Sequence, residues 1–369
     1  MKNRLCALPP LKAFFGAVFA IILSSLFFTF NSVYGLPTAN AADFNLGTSS
    51  EIVMETSTLR VLSENNAREK KYMASTTKIL TALVIIENCD INEEITVGTK
   101  TVGVEGSSIY LEAGEKLSVK DLLYGLMLRS GNDCAETLAV HLSGSIEKFA
   151  YLMNETAAKI GAKDSNFVNP HGLHDDNHYT TAYDLALISC YAIKNPVFKE
   201  IVSTQKTSIP FTTRNTKRVL INKNKMLKEF EGSTGIKTGY TKKAGRCLVS
   251  SCNRNGMELV SVVLNCGPMF ERSKTILQNG FDGYKLYNLA ESDNIIDFIP
   301  IENSEDMCGV YLKQDVIVPL TETEMESVDV RYELPKIIKK GAPKDSEIGF
   351  LKIYCQNNLI FTAKIYTIV

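Results

Sequence analysis

Residues 75–88 read STTKILTALVIIEN, and the reading of this stretch decides the fold. In a helix, Ile79, Leu80, Leu83, Val84 and Ile86 cover nearly every face, so the element is expected to be buried almost all round, with its N-terminus inside the protein. Ser75 and Lys78, three positions apart, share one face one turn apart. The pair is either a nucleophile with its base or an N-cap beside an unrelated lysine. Spelling cannot choose, because Ser145 with Lys148 and Ser203 with Lys206 repeat the pattern.

Outward from this helix, EIVMETSTLRVLSENN (51–66) alternates and turns like a hairpin. Ser118 with Asp121 reads as a capping box opening a helix that must stop at SGND, placing Ser130, Gly131 and Asn132 in an interhelical loop. Ser145 reads as the N-cap and Gly161 as the stop of a further helix, and Thr181 with Asp184 caps one running to about Lys194. From Gly232 the texture changes to short β-rich runs, GIKTGYT, RCLVSSCN and MELVSVVLN, the last two joined by Asn255-Gly256, a strong hairpin signal. MFERSKTILQNGFDGY (269–284) reads as a closing helix. Strands at both ends of a helical middle imply one antiparallel sheet flanked by helices, whose first and last pieces come together: an α/β (α+β) class.

The expected organisation is a leader over 1–41, a main domain over 42–290, and a small all-β domain over 298–369 without helical period. At 45% apolar and 22% charged residues with net charge −1, the chain is an ordinary globular protein with nothing to attract nucleic acid. Lys2, Arg4 and Lys12 precede a long apolar run, and Ala39-Asn40-Ala41 follows, which is the layout of an export signal cleaved after Ala41. An uncleaved leader would instead give membrane association. Eight cysteines follow Ala41 with no C-x-x-C spacing, and they read as buried free thiols.

Two further motifs follow Ser75 in order: Ser130-Gly131-Asn132 and the single Lys237-Thr238-Gly239. S-x-N also occurs at Ser63, Ser251 and Ser292, but only Ser130 falls between the S-x-x-K helix and K-T-G. This ordered set resembles that of the penicillin-recognising serine enzymes. With MASTTK, SGND, NPHGL, HYTTAYDLA and GIKTGYTKKAG, the chain from residue 43 to 369 resembles the D-alanyl-D-alanine carboxypeptidases, the low-molecular-mass penicillin-binding proteins of peptidase family S11. The fold so implied is β-lactamase/transpeptidase-like.

A serine hydroxyl is a poor nucleophile without an adjacent base, and a lysine serves as one only when neutral, which burial and a nearby cation such as Lys237 favour. The resemblance implies that Ser75 is acylated by the substrate carbonyl, Lys78 is the general base, and Ser130 relays a proton to the departing D-alanine. It implies that Asn132 holds the substrate amide and that Lys237, Thr238 and Gly239 form an edge strand binding the substrate and its carboxylate. The oxyanion hole would be the backbone N–H groups of Ser75 and Tyr240. Peptidoglycan stem peptides are the implied substrates and β-lactams the implied inhibitors, with no cofactor and no metal.

Two rivals share these motifs. A class A β-lactamase needs a deacylating glutamate between Ser130 and Lys237, and none of Glu136, Glu147, Glu155, Glu200, Glu229 and Glu231 has asparagine four positions later. A non-catalytic wall-binding protein would have no need of nucleophile, base and relay together. His171, His174 and His178 lie close enough in sequence to suggest zinc, but the resemblance makes their segment a structural loop. The chain departs from the resemblance at Cys134, where a small residue is expected, and at its β-like end, where many relatives carry an amphipathic helix.

Overall fold

The structure, a computed structural model, describes residues 48–292 and 294–368. The leader, with its cleavage triplet and Cys6, lies outside the described residues. β1 (Ser50–Glu55) and β2 (Val61–Asn65) form the expected hairpin. A 3₁₀ turn (Ala74–Thr77) runs directly into α1 (Lys78–Asn88), in which Lys78 through Ile85 are all buried. A short pair, β3 (Glu94–Thr96) with β4 (Lys116–Ser118), leads to α2 (Val119–Leu128), opened by the Ser118–Asp121 capping box. Next come α3 (Asn132–Ser143) and α4 (Ile146–Ile160), the latter capped by Ser145 and stopped by left-handed Gly161. Asn132 is therefore the first residue of α3 and not part of the loop.

Helix α5 (Ala182–Ile193) has the expected Thr181 cap, and α6 (Pro196–Ser203) follows. Sequence reading left the next stretch unassigned, and it forms a hairpin, β5 (Lys206–Phe211) with β6 (Thr216–Ile221). Its inward residue Arg218 is buried, 2.5 Å from buried Glu115. An inward arginine breaks the apolar alternation that would have revealed the strand. After a single helical turn, α7 (Met226–Glu229), come β7 (Ser233–Thr241), β8 (Gly245–Arg254) and β9 (Met257–Leu264). The turn between β8 and β9 uses Asn255 at φ 50° and Gly256 at φ 85°, two positive φ values in succession, as a two-residue hairpin requires.

The sheet order is β2-β1-β9-β8-β7, so the first strand pairs with a late one and β7 is left at an edge. Strand alternation splits the core. Ile52, Met54, Val260 and Val262 face Ile79, Leu80 and Leu83 of α1, whereas Val53, Leu259 and Val263 face Ile276 and Leu277 of α8 (Met269–Gly283). Because Leu80 and Leu83 are wholly buried, truncating either to alanine would cost about 2–5 kcal/mol.

Beyond α8 the chain is mostly β. β10 (Lys285–Ala290) pairs with β13 (Val316–Leu320), and β11 (Ile295–Pro300), β12 (Met307–Tyr311), β16 (Asn358–Thr367), β15 (Glu347–Cys355) and β14 (Val328–Glu333) form a five-stranded sheet in that order. Val310, Val318, Leu320, Leu351, Ile353 and Ile365 make its core. The β10 pairing puts 285–290 beside the C-terminal strands, ahead of the texture change near Phe298. One helical turn, α9 (Glu322–Glu326), opened by a Thr321–Glu324 capping box, interrupts this β unit, where no helical period was expected. Among the described residues no helix is long and apolar enough to cross a membrane.

Candidate active site

The 3₁₀ turn ahead of α1 carries no side-chain N-cap bond, so Ser75 is not a capping residue. The turn is held by its other hydroxyls: Thr76 Oγ1 donates to Met73 O at 2.6 Å and Thr77 Oγ1 to Ala74 O at 2.8 Å. Ala74 sits at φ 48°, a conformation that alanine reaches only under constraint. Two neighbours supply that constraint. Gly172 packs so tightly that a β-carbon there would meet Ala74 O at 1.9 Å, and His178 Nε2 lies 2.7 Å from Thr77 Oγ1. Because His178 Nδ1 accepts the Val168 N–H at 3.1 Å, its ring proton is on Nε2 and is donated to Thr77. Burial holds this imidazole neutral, lowering its pKa to about 3.

Lys78, fully buried on the first turn of α1, has its Nζ 3.1 Å from Ser75 Oγ, 2.7 Å from Asn132 Oδ1 and 2.6 Å from the carbonyl oxygen of His171. Burial depresses its pKa well below the ordinary lysine value, and the charges of Lys237 and Lys223 push the same way. A neutral lysine amine has two N–H bonds and one lone pair. With Asn132 and His171 accepting the two N–H bonds, the lone pair is left for the Ser75 hydroxyl proton.

The second motif lies between α2 and α3. Ser130 takes φ 65° and is buried, Gly131 turns the chain, and Asn132 opens α3. Asn132 Nδ2 donates to Glu105 O at 2.5 Å, which orients its Oδ1 toward Lys78. Asp133, fully buried, accepts from the Ser108 hydroxyl at 2.5 Å and the Leu111 N–H at 3.0 Å, anchoring the loop that flanks the site. Cys134, the sequence departure, fills the α2–α3 contact: a β-carbon on Gly125 would lie 2.6 Å from its Sγ, and the thiol pKa is raised by burial.

The third motif sits on edge strand β7. Lys237 and Gly239, two apart, share a strand face, and Lys237 is buried with Nζ donating to Thr238 O at 3.0 Å. Burial, with Lys223 nearby, lowers the Lys237 pKa to about 7. A β-carbon on Gly239 would lie 3.1 Å from each of Met73 O, Ser75 N and Thr76 N, so glycine lets β7 approach the start of the helix more closely than any larger residue would. Tyr240 follows and is exposed.

Lys223 was missed by sequence reading, which had no motif to mark it among the lysines of NKNK. It is exposed, donates to Ser107 Oγ at 3.2 Å, and has its pKa lowered by desolvation and by the nearby Arg129 charge. The two other S-x-x-K copies are ordinary: Ser145 Oγ accepts the Lys148 N–H as an N-cap, and Ser203 donates to Glu200 O. The histidine loop uses its ring nitrogens within the protein. His171 Nε2 meets Glu136 at 3.3 Å and His174 Nε2 meets Asp176 at 3.3 Å, and no metal-type cluster occurs among the described residues.

Comparison with known proteins gives the arrangement its context. Residues 37–267 match the family model described as D-alanyl-D-alanine carboxypeptidase, and residues 284–368 match that of the penicillin-binding protein 5 C-terminal domain. The chain is 30% identical over 314 residues to the D-alanyl-D-alanine carboxypeptidase DacF of Bacillus subtilis, covering 82% of this chain and 80% of that one. It superposes on penicillin binding protein 5 from Haemophilus influenzae with a TM-score of 0.75 at 27% identity, over 86% of this chain and 96% of the other. A mutant of the Streptomyces K15 DD-transpeptidase aligns with a TM-score of 0.60 at 28% identity, over 63% of this chain and 97% of its own.

Proposed function

The chain belongs to the D-alanyl-D-alanine carboxypeptidase family, and from that premise we propose how its residues perform the reaction. It is a serine-type hydrolase of the penicillin-binding kind. The observation that carries the assignment of roles is the triple contact of Lys78 Nζ with Ser75, Asn132 and the His171 carbonyl.

A peptidoglycan stem peptide ending in D-alanyl-D-alanine lies along the free edge of β7, its terminal carboxylate drawn by Lys237 and the Thr238 hydroxyl. Lys78 takes the Ser75 proton as Oγ attacks the penultimate carbonyl carbon. The oxyanion that forms is received by the N–H groups of Ser75 and Tyr240, which the close approach of Gly239 brings together. The C–N bond then breaks, the amine of the last D-alanine leaves with a proton relayed through Ser130, and an ester on Ser75 remains. Water attacks that ester and restores Oγ–H, releasing the shortened peptide. Asn132 holds the substrate amide during these steps. A penicillin carbonyl enters the same path, but its leaving amine stays tethered, so acylation of Ser75 persists.

The leader implies action outside the cytoplasmic membrane, in the wall or attached through an uncleaved leader. The test pairs fluorescent-penicillin labelling with D-alanine release from a stem pentapeptide. Ser75→Ala abolishes both while the fold persists; unchanged D-alanine release in that variant would overturn the reading. Rapid penicillin turnover in place of lasting labelling would favour the β-lactamase reading instead.

A further inference from the structure

We infer that Glu136 is a positioning residue for the base Lys78, acting through the His171 ring. The inference rests on the reading of Lys78 as general base.

Asn132 and Glu136 are four residues apart on α3 and share one face of that helix. Each leads to a different acceptor on the same amine. Asn132 does so directly, its Oδ1 lying 2.7 Å from Lys78 Nζ. Glu136 does so at one remove: its Oε1 lies 3.3 Å from His171 Nε2, and the His171 carbonyl oxygen lies 2.6 Å from Lys78 Nζ. The ring is clamped at both ends, because His171 Nδ1 accepts the Leu173 N–H at 3.1 Å. That contact places the ring proton on Nε2, where Glu136 is the acceptor. The His171 side chain is 8% exposed and the Glu136 side chain 21%, so the pair is largely withdrawn from competing water.

The consequence follows from the geometry of a neutral amine. Two acceptors fix both of its N–H bonds and therefore the direction of its lone pair. One acceptor belongs to α3, and the other belongs to a loop that α3 holds through Glu136. Helix α3 thus supplies one acceptor and steadies the other, which Asn169 also anchors through the Gly172 N–H, donated to its Oδ1 at 2.7 Å. With this second hold on the 171–172 peptide, releasing the ring would shift the His171 carbonyl without freeing it, loosening the aim of the lone pair and slowing proton transfer without touching the surface that binds substrate.

The test compares wild type with Glu136→Ala, Glu136→Leu and Glu136→Gln, measuring the binding constant and rate constant of penicillin acylation separately, together with kcat and KM for D-alanine release. Glutamine keeps an acceptor for Nε2–H; alanine and leucine do not. The acylation rate constant and kcat are expected to fall on the order of tenfold in the alanine and leucine variants, at unchanged KM. The glutamine variant is expected within about threefold of wild type. Leucine fills the site if the alanine variant does not fold. A loss confined to KM, equal loss in the glutamine and leucine variants, or wild-type kinetics in all three would overturn the inference. Wild-type protein that no penicillin acylates at Ser75 would overturn the functional reading beneath it as well.

Discussion

Gly239 faces the backbone nitrogen of Ser75 so closely that a β-carbon on it would stand 3.1 Å away, and equally close to Met73 O and Thr76 N of the same turn. Gly239→Ala must therefore push β7 from the 3₁₀ turn by a few tenths of an ångström and open the space between the Ser75 and Tyr240 N–H groups. Acylation by penicillin is expected to fall tenfold or more, in the range of a lost oxyanion donor, with little change in melting temperature. Stopped-flow acylation beside thermal unfolding checks this; equal rates would mean that the strand gives way elsewhere.

The pH profile of kcat/KM is expected to be bell-shaped. Lys78 works neutral, so the rate rises with pH through its depressed pKa. Lys237 works protonated, so the rate falls as pH climbs through about 7. In kcat the falling limb moves to higher pH, because bound carboxylate stabilises the ammonium of Lys237. Lys237→Gln removes the falling limb and, by removing a cation near Lys78, moves the rising limb upward. Profiles of the two enzymes with the same falling limb would contradict these assignments.

His178 makes the fold acid-sensitive. Unfolded, its imidazole takes up a proton near pH 6.5, whereas in the folded protein it resists until about 3. Between those values the unfolded state binds more protons, so the contribution is intact above pH 6.5 and is lost as pH falls toward 3, by up to about 1.4 kcal/mol per pH unit. His178→Gln, which keeps an amide near Thr77 and Val168, should flatten that slope in urea unfolding curves measured from pH 7 to 4. Parallel slopes in the two proteins would exclude His178 as the source.

Arg60, in the β1–β2 hairpin, reaches the C-terminal β unit: its guanidinium donates to Pro319 O, pairs with Glu324 and lies over the Tyr284 ring at 5.4 Å. Arg60→Ala is expected to lose about 1–3 kcal/mol and to make the C-terminal unit unfold separately in calorimetry. Penicillin acylation should be unaffected. A single transition at the wild-type temperature would show that other contacts join the two parts.

Much of this was legible in the chain. Ser75 and Asn132 meet at the Lys78 amine and Gly239 packs against Ser75 N, and the elements that carry them had local signals: caps at Ser118 and Thr181, a turn at Asn255-Gly256, and an apolar run behind Ser75. The β5–β6 hairpin was not, since its inward Arg218 makes sense only beside Glu115, far away in sequence. The partners of the site residues were hidden for the same reason. That Lys223 reaches Ser107, that His171 lends Lys78 a carbonyl, and that Glu136 meets the His171 ring follow from how remote segments pack. Sequence by itself determined which groups the chemistry has, through residue type, order and local periodicity. Tertiary structure alone decided their protonation and aim, because desolvation and the direction of a lone pair depend on which remote segments pack around Lys78.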